Sequence, residues 1–200
     1  MKHRERVMAA LSHEVPDRCP MQISFTPEFA DRLRADMAIK GAVSHNPHGG
    51  GNTYELERAL DQDMLLTSVG WANSYYAGER YGTEGSDTYV DEWGITWRNV
   101  PYETRFGTGH YTEMVGHPLA DDDALDTYQP PDPSRPELYV EAENTIRQFK
   151  QEYWIVGVTV TTIWETAWAL RGYERALTDL VFHPDLVERL FDIPLHYHLA

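Results

Sequence analysis

A glutamate flanked by two tryptophans, in the run Trp164-Glu165-Thr166-Ala167-Trp168, is the part of the sequence best suited to chemistry. It comes a few residues after a predicted strand, and active sites of parallel β/α proteins collect where strands end. A carboxylate there can donate a proton, accept one, or accept a hydrogen bond. We therefore predict Glu165 as a catalytic residue, with Trp164 and Trp168 binding substrate. The alternative is an exposed first-turn glutamate that interacts only with the helix dipole.

A second candidate region is the segment 19–25, in which the odd positions are apolar and Gln22 and Ser24 are polar. This period of two predicts a strand with one buried face. Gln22 and Ser24 are predicted to bind substrate from the other face, with ordinary interior packing as the alternative. Cys19 is the single cysteine, so an internal disulfide and a multi-cysteine metal site are excluded within this chain. Cys19 is expected to be a small core residue.

Three further side chains have less specific interpretations. Arg171 could hold an anionic group, but an arginine at the end of a helix more often interacts with the helix dipole. His196 and His198 are two residues apart, which places them on diverging faces of a helix. Shared metal ligation by this pair is therefore not expected.

The elements that must position these residues alternate between strands and helices. Residues 154–161 alternate between large apolar and small or polar side chains, and helical periodicity follows over 163–170, 173–181 and 184–191. Two hairpins are predicted, one around residues 91–94 and one whose turn is 107–109. We predict an α/β fold: a partial TIM (β/α)8 barrel, its N-terminal half, with an antiparallel β-hairpin insertion at about 75–116. Residues 1–200 would be the N-terminal part of one barrel domain.

Charge and hydropathy limit the partners. Seventeen Lys and Arg face 32 Asp and Glu, a net charge of −15 with neutral histidines. This balance disfavours nucleic acid, whose binding depends on clustered cations. No stretch approaches the roughly 18 apolar residues of a membrane span, and the N-terminus does not read as a signal peptide. We expect a soluble cytoplasmic protein with a small-molecule substrate; a homodimer stays open.

Four pieces of the chain, in order, resemble the uroporphyrinogen decarboxylase superfamily, which includes methyltransferases that serve corrinoid proteins. The first is RERVMAALSHEVPDRCP at residues 4–20. DEWGI follows at 91–95 and HPLAD at 117–121. The fourth runs from Gly157 to LRGYE at 170–174, with HPD at 183–185. The resemblance implies a β/α barrel longer than this chain.

The same resemblance distinguishes two branches of the superfamily. True decarboxylases carry an Arg-Gln-Ala-Gly-Arg signature after the first strand, whereas residues 21–27 here read MQISFTP. Their catalytic aspartate falls near residues 67–70, TSVG, and Trp168 stands where they have an active-site tyrosine. A substrate with many carboxylates needs bidentate cationic partners, which this segment lacks. The methyltransferase-like branch is therefore favoured.

That branch implies zinc-dependent methyl transfer involving a corrinoid carried by a partner protein. Its zinc ligands, a His-x-Cys pair and a distant Cys, would lie beyond Ala200, so this chain is expected to hold no cofactor and to be inactive alone. The alternatives are uroporphyrinogen decarboxylase, acting in porphyrin biosynthesis, and a noncatalytic ligand-binding barrel remnant.

Overall fold

The computed structural model describes residues 1–40, 53–68, 86–105, 107–159 and 161–200. Those residues form a mixed α/β structure with seven α-helices, a two-stranded sheet and a three-stranded sheet. The helices are α1 (His3–Leu11), α2 (Pro27–Asp36), α3 (Glu55–Ala59), α4 (Val140–Phe149), α5 (Ile163–Arg171), α6 (Tyr173–Phe182) and α7 (Pro184–Leu199). The strands are β1 (Met64–Ser68), β2 (Thr88–Val90), β3 (Thr96–Thr104), β4 (Gly107–Gly116) and β5 (Trp154–Val158). The chain divides into two compact units, residues 1–77 with 136–159 and residues 78–135 with 160–200.

The first unit is built on a parallel strand pair. β1 runs parallel to β5, in register from Met64 opposite Trp154 to Ser68 opposite Val158. Helices α1 and α4 pack against both strands, and Leu65 is fully buried in a core with Tyr54 and Tyr153. Parallel pairing with a helix over the sheet is typical of β/α proteins. The α/β class is thus confirmed, whereas the described residues contain no closed barrel and the partial TIM barrel stays a prediction.

The predicted strand over residues 19–25 is wrong, because this segment forms no regular secondary structure and belongs to neither sheet. Side chains of Gln62 and Asp63 form hydrogen bonds with its backbone, and none of the described strands pairs with it. The Gln62 amide group bonds both the N–H and the carbonyl of Ile23, and the Asp63 carboxylate accepts from the Met21 N–H. Cys19 is exposed rather than in the core, and Ile23 is 43% exposed. The strand beside β5 is β1.

The second unit contains the antiparallel sheet β2-β3-β4. The first predicted hairpin is confirmed, with Tyr89 opposite Trp97. The buried Asp91 carboxylate stabilises its turn by accepting from the N–H groups of Trp93 and Ile95 and from the Trp97 indole. The second hairpin also forms, but pairing continues to Thr104 opposite Gly107. Its turn therefore comes earlier than 107–109. Residues 75–85 of the predicted insertion lie outside the described residues.

Helices α5, α6 and α7 pack on one another in the second unit, as their periodicity predicts. Ala167, Leu170 and Leu190 are buried between them. Gly172 separates α5 from α6 at a φ of +92°, a conformation that favours glycine. Pro184 stands in the first turn of α7, where its missing N–H costs nothing. No helix among the described residues is long and apolar enough to cross a membrane.

Candidate functional site

The first turn of α5 carries Glu165, which is exposed. Thr162, at the N-cap position, makes no side-chain capping hydrogen bond, so this helix end keeps backbone N–H groups available. Within the described parts of the chain, no hydrogen bond or ion pair reaches the Glu165 carboxylate. Its negative charge is favourable beside the positive end of the helix. Glu165 is thus a solvent-accessible carboxylate at a helix start, a placement that fits both sequence interpretations.

Four aromatic rings meet beside Glu165, and we name them the aromatic corner: Trp164, Trp168, Tyr173 and Phe191. Trp164 and Trp168 lie one turn apart on α5 and are both half-buried. The Tyr173 ring centroid is 5.6 Å from that of Trp168, with the planes at 89°, and 6.4 Å from that of Trp164, at 60°. The Phe191 ring on α7 lies 6.3 Å from Trp164, at 83°. Nearly perpendicular rings form walls rather than a stack.

The turn at Gly172 and the anchoring of Arg171 produce this arrangement. Gly172 ends α5 and precedes α6, so Tyr173 is brought back over the tryptophans. Arg171 is buried and donates to Asp179 at 2.7 Å, to Asp122 at 2.5 Å and to the Leu119 carbonyl at 2.9 Å. Burial alone would lower the pKa of Arg171, but its bonds to the two aspartates outweigh burial and raise the pKa. Arg171 is therefore an internal anchor rather than a ligand for an external anion.

His198 also reaches the start of α5, although sequence analysis considered it only as a metal ligand. It lies seven residues after Phe191, on the same face of α7, and its ring forms a hydrogen bond with the backbone of Thr161. Burial lowers the pKa of His198 below 6.5, and the bond to Thr161 only partly opposes this effect. Its Nε2 is buried and has no hydrogen-bond partner among the described residues. The i, i+7 relation to Phe191 was the available sequence signal.

Thr161 connects His198 to α5. Its φ of +57° is unusual for a β-branched residue, and its carbonyl accepts a 2.8 Å hydrogen bond from the Thr166 hydroxyl. The loop before α5 is therefore held from two sides, by α5 through Thr166 and by α7 through His198. His196, in contrast, is exposed.

Gln22 and Ser24, the other predicted substrate-binding residues, lie in the first unit. The Gln22 amide donates to the Ser24 hydroxyl at 3.0 Å. Their neighbour Ile23 is bound to Gln62, which precedes β1, so they stand at the amino end of that strand. Active sites of β/α barrels lie at the opposite, carboxyl ends. The structure thus brings Glu165, Trp164 and Trp168 together, while the binding role of Gln22 and Ser24 stays a prediction.

Sequence analysis missed a charged cluster around Asp63, which we name the Asp63 cluster: His3, Arg6, Asp17, Arg18, Asp61 and Asp63. The fully buried Asp63 carboxylate accepts from Arg6 Nη1 at 2.5 Å, Arg18 Nη1 at 2.6 Å, His3 Nδ1 at 3.0 Å and the Met21 N–H at 2.8 Å. Burial raises the pKa of Asp63, but these hydrogen bonds outweigh burial and hold the pKa below its ordinary value. The carboxylate is fully satisfied, so the cluster stabilises the first unit.

The residues that the structure describes do not fit a zinc site. Nowhere in the ranges given above do three or more His, Cys, Asp or Glu side chains group in a way that could hold a metal ion. Cys19, the one thiol, is exposed and belongs to no such group.

Comparison of the chain with protein-family profiles, with curated proteins and with solved structures found no match.

Proposed function

We propose that this chain belongs to an enzyme of the uroporphyrinogen decarboxylase superfamily and that the enzyme works in methyl transfer involving a corrinoid protein. The observation that carries the proposal is the placement of Trp164, Glu165 and Trp168 on the first two turns of α5. This helix follows, along the chain, a strand that is paired in parallel. The four sequence pieces that resemble the superfamily support the same assignment.

The charges of the first unit argue against porphyrinogen decarboxylation. Residues 21–27, where the decarboxylases carry arginines, have none. Arg6 and Arg18, the arginines bound around this segment, are committed to Asp17, Asp61 and Asp63. A guanidinium already bonded to carboxylates cannot also bind the carboxylates of a porphyrinogen without losing those bonds. The phenol of the decarboxylases is replaced by the Trp168 indole, which cannot act as their tyrosine does.

The roles proposed for the second unit are positional and acid–base. Glu165 donates or accepts a proton at its exposed carboxylate. The aromatic corner binds the apolar part of the small substrate and excludes water from it. The zinc and corrinoid that the resemblance implies enter neither of these roles.

Two assays on the whole protein test the proposal. In the first, the protein is incubated with a methylated corrinoid protein, a thiol and zinc, and loss of the methyl-corrinoid absorbance is followed. In the second, it is incubated with uroporphyrinogen and the porphyrins are separated after oxidation. We expect turnover in the first assay only. Formation of coproporphyrinogen would overturn the proposal, and inertness in both assays would favour the noncatalytic binding domain.

A further inference from the structure

We propose that the aromatic corner and Glu165 together bind an organic ammonium ion that carries methyl groups. This inference rests on the proposed function, because it names the class of small molecule that the site of that enzyme takes. It is motivated by the Tyr173 ring, which is inclined at 89° to the Trp168 ring and at 60° to the Trp164 ring, beside an exposed carboxylate that lacks a hydrogen-bond partner within the described ranges.

The ring faces of the aromatic corner suit a cation. The face of an aromatic ring carries negative electrostatic potential, and tryptophan binds cations most strongly of the aromatic residues. The planes of the Trp168 and Tyr173 rings are at 89°, so one cation can contact a face of each ring. Tyr173 is 54% exposed, so the wall that it forms opens to solvent.

The charges around the corner also favour a cation. Glu165 supplies a negative charge one residue from Trp164 and three from Trp168. The two guanidinium groups nearest in the chain are neutralised, since Arg171 binds Asp179 and Asp122, and Arg175 binds Asp122 at 2.9 Å. An anionic ligand would meet the Glu165 carboxylate without a free cation to offset it.

Methyl groups on the nitrogen follow from desolvation. A primary ammonium ion is strongly hydrated and must exchange its water for hydrogen-bond acceptors. The rings of the corner offer faces rather than acceptor atoms, and Glu165 is a single carboxylate. A methylated ammonium ion loses little hydration on binding and presents its positive charge through its methyl groups, which pack on ring faces as apolar groups do.

The test is isothermal titration calorimetry of the whole protein with tetramethylammonium, choline and 3,3-dimethylbutan-1-ol, the neutral isostere of choline. We expect saturable binding of the two cations and affinity at least roughly tenfold weaker for the neutral alcohol. Trp168→Leu is expected to weaken choline binding by roughly tenfold or more, and Glu165→Gln by severalfold. Trp154→Phe, at a half-buried tryptophan of the first unit, is the matched control and should bind choline as the wild type does.

Equal binding of choline and the alcohol, or no effect of Trp168→Leu in a variant that melts cooperatively like the wild type, would overturn the inference. Trp168→Phe keeps an aromatic face and should retain part of the affinity, which separates ring chemistry from misfolding. The result of the methyl-transfer assay does not depend on the result of the choline titration. Choline binding without methyl transfer contradicts only the proposed function, whereas methyl transfer without any cation binding contradicts only this inference.

Discussion

The Asp63 cluster and the start of α5 each contain a carboxylate, but the two carboxylates differ in burial and in hydrogen bonding. Asp63 is fully buried and accepts five hydrogen bonds from four residues distant in the chain. Glu165 is exposed, and the described residues offer it no partner. A satisfied buried carboxylate rigidifies its surroundings, whereas an unsatisfied accessible one remains free to meet a ligand. Both carboxylates are negatively charged. The number of hydrogen bonds that each accepts from the protein is what separates the stabilising region from the candidate site.

The aromatic rings divide in the same way. In the first unit, Tyr153 is 4% exposed and stacks on the His3 ring at 4.6 Å, within the core of that unit. In the second unit, Tyr173 has more than half of its surface exposed although it contacts two tryptophans. Aromatic residues that contact each other and yet stay open to solvent are typical of binding surfaces.

Removal of the Asp63 carboxylate should produce the largest effect on stability. Asp63→Ala removes an acceptor that the buried Arg6 guanidinium shares with Arg18 and His3, so we expect the free energy of unfolding to fall by about 3–5 kcal/mol. Equilibrium urea unfolding followed by circular dichroism measures this. Asp61→Ala is the matched control, since the Asp61 side chain is 71% exposed and should contribute little. Equal, small losses in both variants would show that the buried, hydrogen-bonded Asp63 carboxylate does not stabilise the first unit.

A methyl group at Gly172 should disturb the second region and spare the first. Alanine at a φ of +92° is strained, and its Cβ would stand 3.4 Å from the His117 ring. We expect Gly172→Ala to cost about 1–3 kcal/mol of stability and to weaken choline binding, because Tyr173 follows directly. Gly157→Ala on β5 is the control, with ordinary φ and no atom within 4 Å of the added Cβ. A Gly172→Ala variant with unchanged stability and binding would contradict the role given to this turn.

Elements that depend on local sequence are predicted correctly, whereas contacts between distant residues are not. The start of α7 at Pro184 and the hairpin around residues 91–94 depend on local chemistry and are predicted correctly. The strand at residues 19–25 fails because Gln62 and Asp63, about 40 residues away, take the hydrogen bonds that a neighbouring strand would supply. The Asp63 cluster joins residues up to 60 positions apart, and no local pattern reports such a junction.

The candidate site likewise contains some residues that the sequence predicts and others that only the fold brings together. Glu165, Trp164 and Trp168 are adjacent in the sequence and were predicted together. Tyr173 and Phe191 join them only because Gly172 turns the chain and α7 packs on α5. The spacing between His196 and His198 predicts no shared metal ion and gives His198 no other role. Only the packing of α7 places the His198 ring at Thr161.

The protonation of His198 should give the smallest effect. Its pKa in the folded state lies below 6.5 because of burial, so the unfolded chain binds the proton more readily. The stability that the neutral ring contributes is complete above about pH 6.5 and declines as the pH falls through the unfolded value toward the folded one. Urea unfolding at pH 7.5 and 5.5 should show a smaller difference for His198→Gln than for the wild type. His196→Gln, at an exposed ring, should keep the wild-type difference. An NMR titration that places the pKa of His198 above 6.5 would reverse the sign.

The central claim, that the start of α5 is the working site of a methyl-transfer enzyme, is tested most directly by the turnover rate of Glu165→Gln in the whole protein. The matched control is Glu174→Gln, at an exposed glutamate in the first turn of the next helix. We predict that Glu165→Gln loses roughly 10²–10⁴-fold in kcat, the contribution of a positioned acid or base, with unchanged urea unfolding, and that Glu174→Gln keeps the wild-type rate. Equal rates for both variants and the wild type would contradict the claim.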